Sequence, residues 1–78
     1  MIAEFDQVAL VIDLPDRHFI AGDVGTVVDI TSNGHQYTLE FFNFAGDTIA
    51  VVPVRSDQIR PLGLQEVPHT RFVDLTPA

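Results

Sequence analysis

Apolar and polar residues alternate with a period of two in several short segments of this chain, and no segment carries an apolar stripe of helical period. In the first such segment Val8, Leu10 and Ile12 share one face, and its many β-branched residues are typical of a strand. Proline at position 15 lacks the N–H donor that a sheet needs, so it ends this strand. The pattern predicts strands over residues 5–12, 26–30, 37–42 and 48–54, and a short fifth strand over 59–62.

A polar loop of ten residues, 13–22, follows the first strand and ends in a glycine-rich corner. Such a loop is longer than a hairpin needs, and long loops often carry function. Gly22 and Gly25 bracket Asp23, which predicts positive φ angles or a bulge at a sharp turn. The Gly22-x-x-Gly25 spacing is not a phosphate-binding loop, because a strand follows it and not a helix with a nearby lysine.

Two further turn signals divide the rest of the chain. Asn33-Gly34 predicts a tight hairpin with a type I′ turn, which requires positive φ at both central positions. A serine followed by a short run before Pro61 predicts one 3₁₀ turn over 56–59.

Five short strands, one long loop and a 3₁₀ turn before the last strand predict an all-β fold, a small five-stranded SH3-like barrel with a C-terminal extension. The alternative is an open five-stranded sheet that a second copy completes. The barrel is expected over residues 1–62, and residues 63–78 form a tail in which 70–75 is an additional edge strand. The predicted core residues are Val8, Leu10, Ile12, Val28, Ile30, Leu39, Phe41, Val51 and Ile59.

The net charge of −7 arises from eleven acidic residues against four arginines, with no lysine. Nucleic acids and anionic membranes are bound through clustered Lys and Arg, so neither is an expected partner. Six of the acids lie within residues 1–30. These carboxylates either keep a small protein soluble or face a basic partner protein.

Candidate chemistry is scarce. The chain has no cysteine, which removes disulfides, thiolate metal sites and cysteine nucleophiles. His18, His35 and His69 have no spacing that is typical of a metal site, so no metal and no cofactor is expected. Ser32 and Ser56 stand at turn and cap positions, where local hydrogen bonding explains serine. A barrel this small leaves no interior pocket for paired carboxylates, so we predict no catalytic residue and no enzyme activity.

The phenylalanines are more informative. Phe41 and Phe42 are consecutive, so a strand must point them to opposite faces. Phe42 is then external, with Phe44 on the following turn, and exposed aromatic clusters mark contact surfaces. The tail covers these rings with Phe72 and Val73 as a lid, or they contact a second copy, or they bind a different protein. The predicted partner-binding set combines them with the long loop: Asp16, Arg17, His18, Phe19, Phe42 and Phe44.

The order of short motifs resembles a known family. The chain reads Asp13-Leu14-Pro15, then Gly22-Asp23-Val24-Gly25-Thr26-Val27-Val28, then Tyr37-x-Leu39-Glu40-Phe41, Thr48-x-Ala50 and Arg60-Pro61. This resembles a family of small bacterial proteins known only as a domain of unknown function. The resemblance implies an SH3-like fold, similar to the barrel of the nitrile hydratase β subunit and to KOW-type modules. Members often lie beside genes for other small proteins, which implies an antitoxin-like or immunity-like pairing.

These observations together predict a non-catalytic protein-interaction module with a basic partner protein. A homo-oligomer formed through the tail or through Phe42 and Phe44 is a second possibility. Two alternative functions follow from the resemblances. The similarity to KOW-type modules implies a nucleic-acid or ribosome-associated module, and the similarity to the nitrile hydratase barrel implies a structural subunit of a larger enzyme. No leader and no apolar run of transmembrane length is present, so a cytoplasmic protein is expected.

Overall fold

The computed structural model describes residues 2–75 as five β-strands and two short 3₁₀ turns. The all-β prediction with five antiparallel strands is confirmed. The long loop contains the 3₁₀ turn that the sequence analysis missed, and proline occupies its first position, where a fixed φ favours helical backbone. In chain order the elements are β1 (Gln7–Leu10), the first 3₁₀ turn (Pro15–Arg17), β2 (Val24–Ile30), β3 (Gln36–Phe42), β4 (Thr48–Arg55), the second 3₁₀ turn (Ser56–Gln58) and β5 (Ile59–Pro61).

The strands form one sheet in the order β4-β3-β2-β1-β5. Its edge strands β4 and β5 are consecutive in the chain, separated only by the second 3₁₀ turn. Four residue steps from Arg55 to Ile59 span at most about 14 Å, whereas a flat five-stranded sheet is about 19 Å from edge to edge. The sheet therefore curls until its two edges approach each other, and the curl encloses a single core.

The core lies on the concave face of this curled sheet. Val27, Leu39 and Val52 stand opposite one another on β2, β3 and β4, and all three are buried. Directly opposed residues share a face, so this row fixes which side of each strand points inward. The buried hydrophobic cluster consists of Val8, Leu10, Phe19, Val27, Leu39, Phe41, Val52, Val54 and Ile59.

Three of the predicted core residues were assigned incorrectly. A register shift between Val27 and Asp29 leaves Val28 without a partner and only half-buried. This extra residue reverses the alternation, so Ile30 shares the inward face of Val27 and packs, partly buried, against the core. Val51 is exposed, because β4 is apolar on both faces and its neighbour Val52 is the one opposite Leu39. Ile12 is exposed because β1 ends two residues earlier, at Leu10.

The loop between β2 and β3 is where Asn33-Gly34 predicted it, but its turn type differs. Gly34 has φ of 73°, whereas Asn33 does not have positive φ, so the turn is not type I′. The Gly34 N–H donates to the Thr31 carbonyl at 2.9 Å, and the Asn33 side chain accepts from the Thr31 hydroxyl at 2.7 Å. These side-chain bonds stabilise a five-residue loop, 31–35, and remove the need for a two-residue turn.

The two glycines of the corner have different roles. Gly22 has φ of 94°, as the sequence predicts for a sharp turn. Gly25 lies in β2, and a Cβ atom there would approach the Phe41 ring at 3.2 Å and Leu39 Cβ at 3.3 Å. Gly25 is therefore required because an aromatic ring packs against its backbone.

An irregular tail follows β5. The predicted edge strand over 70–75 is wrong, since the described residues contain no strand after Pro61. Proline at the end of β5 gives the neighbouring edge no N–H donor at that position, and side-chain ion pairs hold the tail instead. None of the helical segments between residues 2 and 75 has the length and apolar character needed to cross a membrane.

Candidate functional site

A cleft of about 860 Å³ lies between the sheet, the turn that joins β3 to β4, and the tail. We call it the hairpin–tail cleft. Its sheet side includes Ala9 and Thr26, and its hairpin side carries Phe42 and Phe44. The lining residues are Gln7, Ala9, Phe19, Gly22, Asp23, Val24, Thr26, Phe41, Phe42, Asn43, Phe44, Ile49, Arg60, Leu62, Glu66, Val67, Pro68, His69, Thr70, Arg71, Phe72, Val73 and Leu75.

The turn between β3 and β4 holds Phe44 away from the core. The Gly46 N–H donates to the Asn43 carbonyl at 3.0 Å, and the Asn43 side chain accepts from the Asp47 N–H at 2.9 Å. Phe44 lies inside this closed turn and is 88% exposed. Phe42 is 44% exposed while Phe41 is buried, as consecutive strand residues require. The two exposed rings form the hairpin side of the cleft.

Phe19 does not belong to this exposed set. It is 2% exposed, and its ring stacks on that of Phe41 with centroids 4.0 Å apart and planes at 16°. The prediction that Phe19 contacts a partner from the loop is therefore wrong, because its ring fills part of the core. An isolated backbone bridge between Leu14 and Phe19 folds the loop back on itself and brings the Phe19 ring to the core.

Arg71 fixes the tail to the corner before β2. Its guanidinium donates to both carboxylate oxygens of Asp23, with Nε to Oδ1 at 2.9 Å, and Nη2 also donates to the His18 carbonyl at 3.0 Å. The Asp23 side chain additionally accepts from the Ile20 N–H at 2.8 Å. Hydrogen bonding to Asp23 raises the pKa of Arg71. These contacts make Asp23 a binding site for one guanidinium group.

A second ion pair holds the start of the tail. Arg60 of β5 donates from Nη1 and Nη2 to the two Glu66 oxygens at 2.8 and 2.6 Å. The hydrogen bond from Arg60, reinforced by the Gly63 N–H, lowers the pKa of Glu66 to about 2. Both partners are well exposed to solvent, so this tether is weaker than the more enclosed pair at Asp23.

The tail does not close the cleft as the sequence suggests. Phe72 is 85% exposed, so it is not a lid over Phe42 and Phe44, although Val73 is half-buried. Leu64 and Val67 are also exposed. Ion pairs and hydrogen bonds therefore hold the tail, and its apolar side chains remain available.

The remaining predicted contact residues lie apart from the phenylalanines. Asp16 and Arg17 are exposed on the first 3₁₀ turn and line a smaller groove of about 460 Å³ beside Pro53. His18 adopts the left-handed conformation with φ of 66° and contributes its carbonyl to Arg71. The predicted site is thus divided, with Phe42 and Phe44 in one cleft and Asp16 and Arg17 in another groove.

Carboxylates dominate the unpaired charge of the described residues. Arg55, Arg60 and Arg71 are each in an ion pair, so among residues 2–75 only Arg17 is an arginine without one. Within the same residues, seven acids have no cationic partner: Glu4, Asp6, Asp13, Asp16, Asp29, Glu40 and Asp47. The surface therefore presents mostly uncompensated negative charge.

The ion pairs that border the cleft were not among the predicted features. Arg71 and Asp23 are 48 residues apart, so no local motif connects them, and Asp23 was predicted only as a turn residue. Residues 2–75 contain no group of three His, Asp or Glu side chains that could hold a metal ion.

A family model described as Domain of unknown function (DUF4926) matches residues 4–61, which is most of the chain. The chain belongs to this family, and the match ends where β5 ends, before the tail. No curated protein and no solved structure matches it.

Proposed function

We propose that this member of the DUF4926 family is a non-catalytic protein-interaction module that binds a basic protein in the hairpin–tail cleft. The observation that carries the proposal is the pair Phe42 and Phe44 on the hairpin side of the cleft. Strand parity exposes Phe42, and a closed turn presents Phe44 to solvent. Aromatic side chains contribute large apolar area at an interface, and contiguous exposed apolar surface is uncommon on a monomer.

The charge distribution supports a basic partner. The seven unpaired acids create a negative field, whereas the ion pairs of the cleft neutralise its own charged groups. Such a field accelerates the encounter with a positively charged protein, and added salt slows it. The phenylalanines then supply the contact itself. Asp16, Arg17 and His18 are proposed as a separate, secondary contact. The His18 carbonyl borders the tail at Arg71, whereas Asp16 and Arg17 line the other groove.

We infer a bacterial, cytoplasmic protein with an SH3-like barrel, to which the strand order and the second 3₁₀ turn conform. An antitoxin-like or immunity-like pairing with a neighbouring small protein is one specific form of the proposal. The dominance of unpaired carboxylates speaks against the nucleic-acid alternative.

The proposal is tested by comparing three immobilised proteins in a native lysate: the wild type, Phe44→Ser and Phe5→Ser. Phe5 is the matched control, since it is 71% exposed but does not line the cleft. We expect the wild type and Phe5→Ser to retain the same basic protein in stoichiometric amount, and Phe44→Ser to lose it. Equal retention by Phe44→Ser would exclude the cleft, and retention of nucleic acid at low salt would favour the alternative function.

A further inference from the structure

Asp23 is the least exposed carboxylate of the three ion pairs, with a side chain only 16% exposed, and it accepts from one guanidinium in a bidentate arrangement. The Ile20 N–H and the His18 carbonyl complete the surroundings of this group. Planar bidentate acceptance is selective for arginine over lysine. The corner before β2 is therefore a built arginine site at the end of an apolar cleft.

The tail is a poor permanent occupant of this site. Its arginine is followed by Phe72, which is almost fully exposed, so the tail gains the ion pair but little apolar burial. Phe42 and Phe44 likewise stay exposed across the cleft. A segment that placed both an arginine at Asp23 and an apolar side chain against these rings would reproduce the ion pair of Arg71 and bury additional apolar surface.

We infer that the tail occupies the binding site of the partner when the partner is absent. The partner is recognised through an arginine flanked by apolar residues, and this arginine displaces Arg71 from Asp23. This inference rests on the proposed function and names the partner chemistry that the same cleft takes. The tail competes at the high effective concentration of a tethered ligand, so a foreign segment binds only when its apolar contacts exceed those of the tail.

The test uses the full-length chain and a fluorescein-labelled peptide with the sequence of residues 67–75, which carries the arginine and its apolar neighbours. Arg71→Ala removes the internal competitor. We expect this variant to bind the peptide about tenfold or more tightly than the wild type, in fluorescence anisotropy, because the tethered arginine no longer occupies Asp23. A peptide with lysine in place of its arginine should bind more weakly, and one with alanine should not bind.

Two further variants separate recognition from folding. Asp23→Asn keeps an acceptor for the Ile20 N–H but loses the charge, so it should not bind the peptide while retaining the wild-type circular dichroism spectrum. Arg55→Ala removes an ion pair with Asp57 outside the cleft and should bind the peptide as the wild type does.

Three outcomes of the peptide assay would overturn the inference. They are equal peptide binding by the wild type and Arg71→Ala, binding that persists when the peptide arginine is replaced by alanine, and no detectable binding to Arg71→Ala. Dimerisation of the wild type that Arg71→Ala abolishes would also overturn it, since the tail would then be exchanged between copies. None of these results affects whether Phe44→Ser loses the partner in the lysate experiment. Failure of this inference can therefore be distinguished from failure of the proposed function.

Discussion

Replacing Phe19 by alanine should remove a large part of the stability of this domain. The ring is 2% exposed and stacks on Phe41 at 4.0 Å, so the variant loses its transfer free energy and leaves a cavity. Core substitutions of this type cost about 3–5 kcal/mol. At roughly 0.05–0.15 kcal/mol per residue, a chain of this length has about 4–12 kcal/mol in total. The single change therefore removes at least about a quarter of the free energy of unfolding, and at the opposite ends of the two ranges it exceeds the total.

Urea denaturation followed by circular dichroism measures this loss, with Phe44→Ala as the matched control. For a domain with an m-value of about 1 kcal/mol/M, the midpoint for Phe19→Ala should fall by about 3 M or more. Phe44 is 88% exposed, so its replacement should change stability by no more than about 0.5 kcal/mol. If Phe19→Ala does not fold, Phe19→Leu provides a milder test, with a loss of about 1–2 kcal/mol.

Equal urea midpoints for Phe19→Ala and Phe44→Ala would contradict the assignment of Phe19 to the core. That result would mean that Phe19 is a surface residue of the long loop, as its sequence context alone suggests. Its ring would then be available to a partner, and the core would have to be filled by another side chain.

Two further predictions concern the backbone and the tail. Gly25→Ala should destabilise the protein by about 1–3 kcal/mol, because its Cβ would press on the Phe41 ring at 3.2 Å; a thermal midpoint equal to the wild type would contradict this close packing. Because the pKa of Glu66 is lowered to about 2 from 4.5, the ion pair with Arg60 should persist above pH 4.5 and be lost as the pH falls through about 2. Carboxyl NMR titration should find this value in the wild type and a higher one in Arg60→Gln, which keeps only the hydrogen bond from the Gly63 N–H, whereas equal values in both proteins would show that the ion pair is absent.

The strands were predictable because their signals are local. Alternation with a period of two identifies β3, and the glycine and proline positions place its neighbours along the chain. The position of the loop after β2 followed from Asn33-Gly34 in the same way. Its turn type did not, because the Asn33 side chain accepts hydrogen bonds that close a longer loop. Local sequence therefore gives the location of a turn more readily than its geometry.

The inward faces were harder to predict because bulges change the alternation. The extra residue at Val28 exchanges the two faces of β2 within the strand, and no residue type in this segment indicates such a bulge. In β4 both faces are apolar, so only the opposition of Val52 to Leu39 decides between them. Pairing between strands, which is a property of the folded chain, determines the core at these positions.

The candidate site was predictable only in part. Phe42 and Phe44 followed from strand parity and from the turn after it, but Phe19 depends on how the long loop folds back through its bridge to Leu14. The contact between Arg71 and Asp23 joins the tail to a corner that is distant in sequence. Such long-range ion pairs leave no periodic or spacing signal, so the cleft becomes visible only in three dimensions.

Light scattering of the protein purified from its native lysate decides whether the hairpin–tail cleft binds another protein. We expect a complex whose mass exceeds that of the 8.6 kDa chain by the mass of one basic partner, and a return to 8.6 kDa when Phe44→Ser is purified in the same way. A wild-type protein that elutes alone, as a monomer or as a dimer of itself, would contradict the claim that this cleft binds another protein.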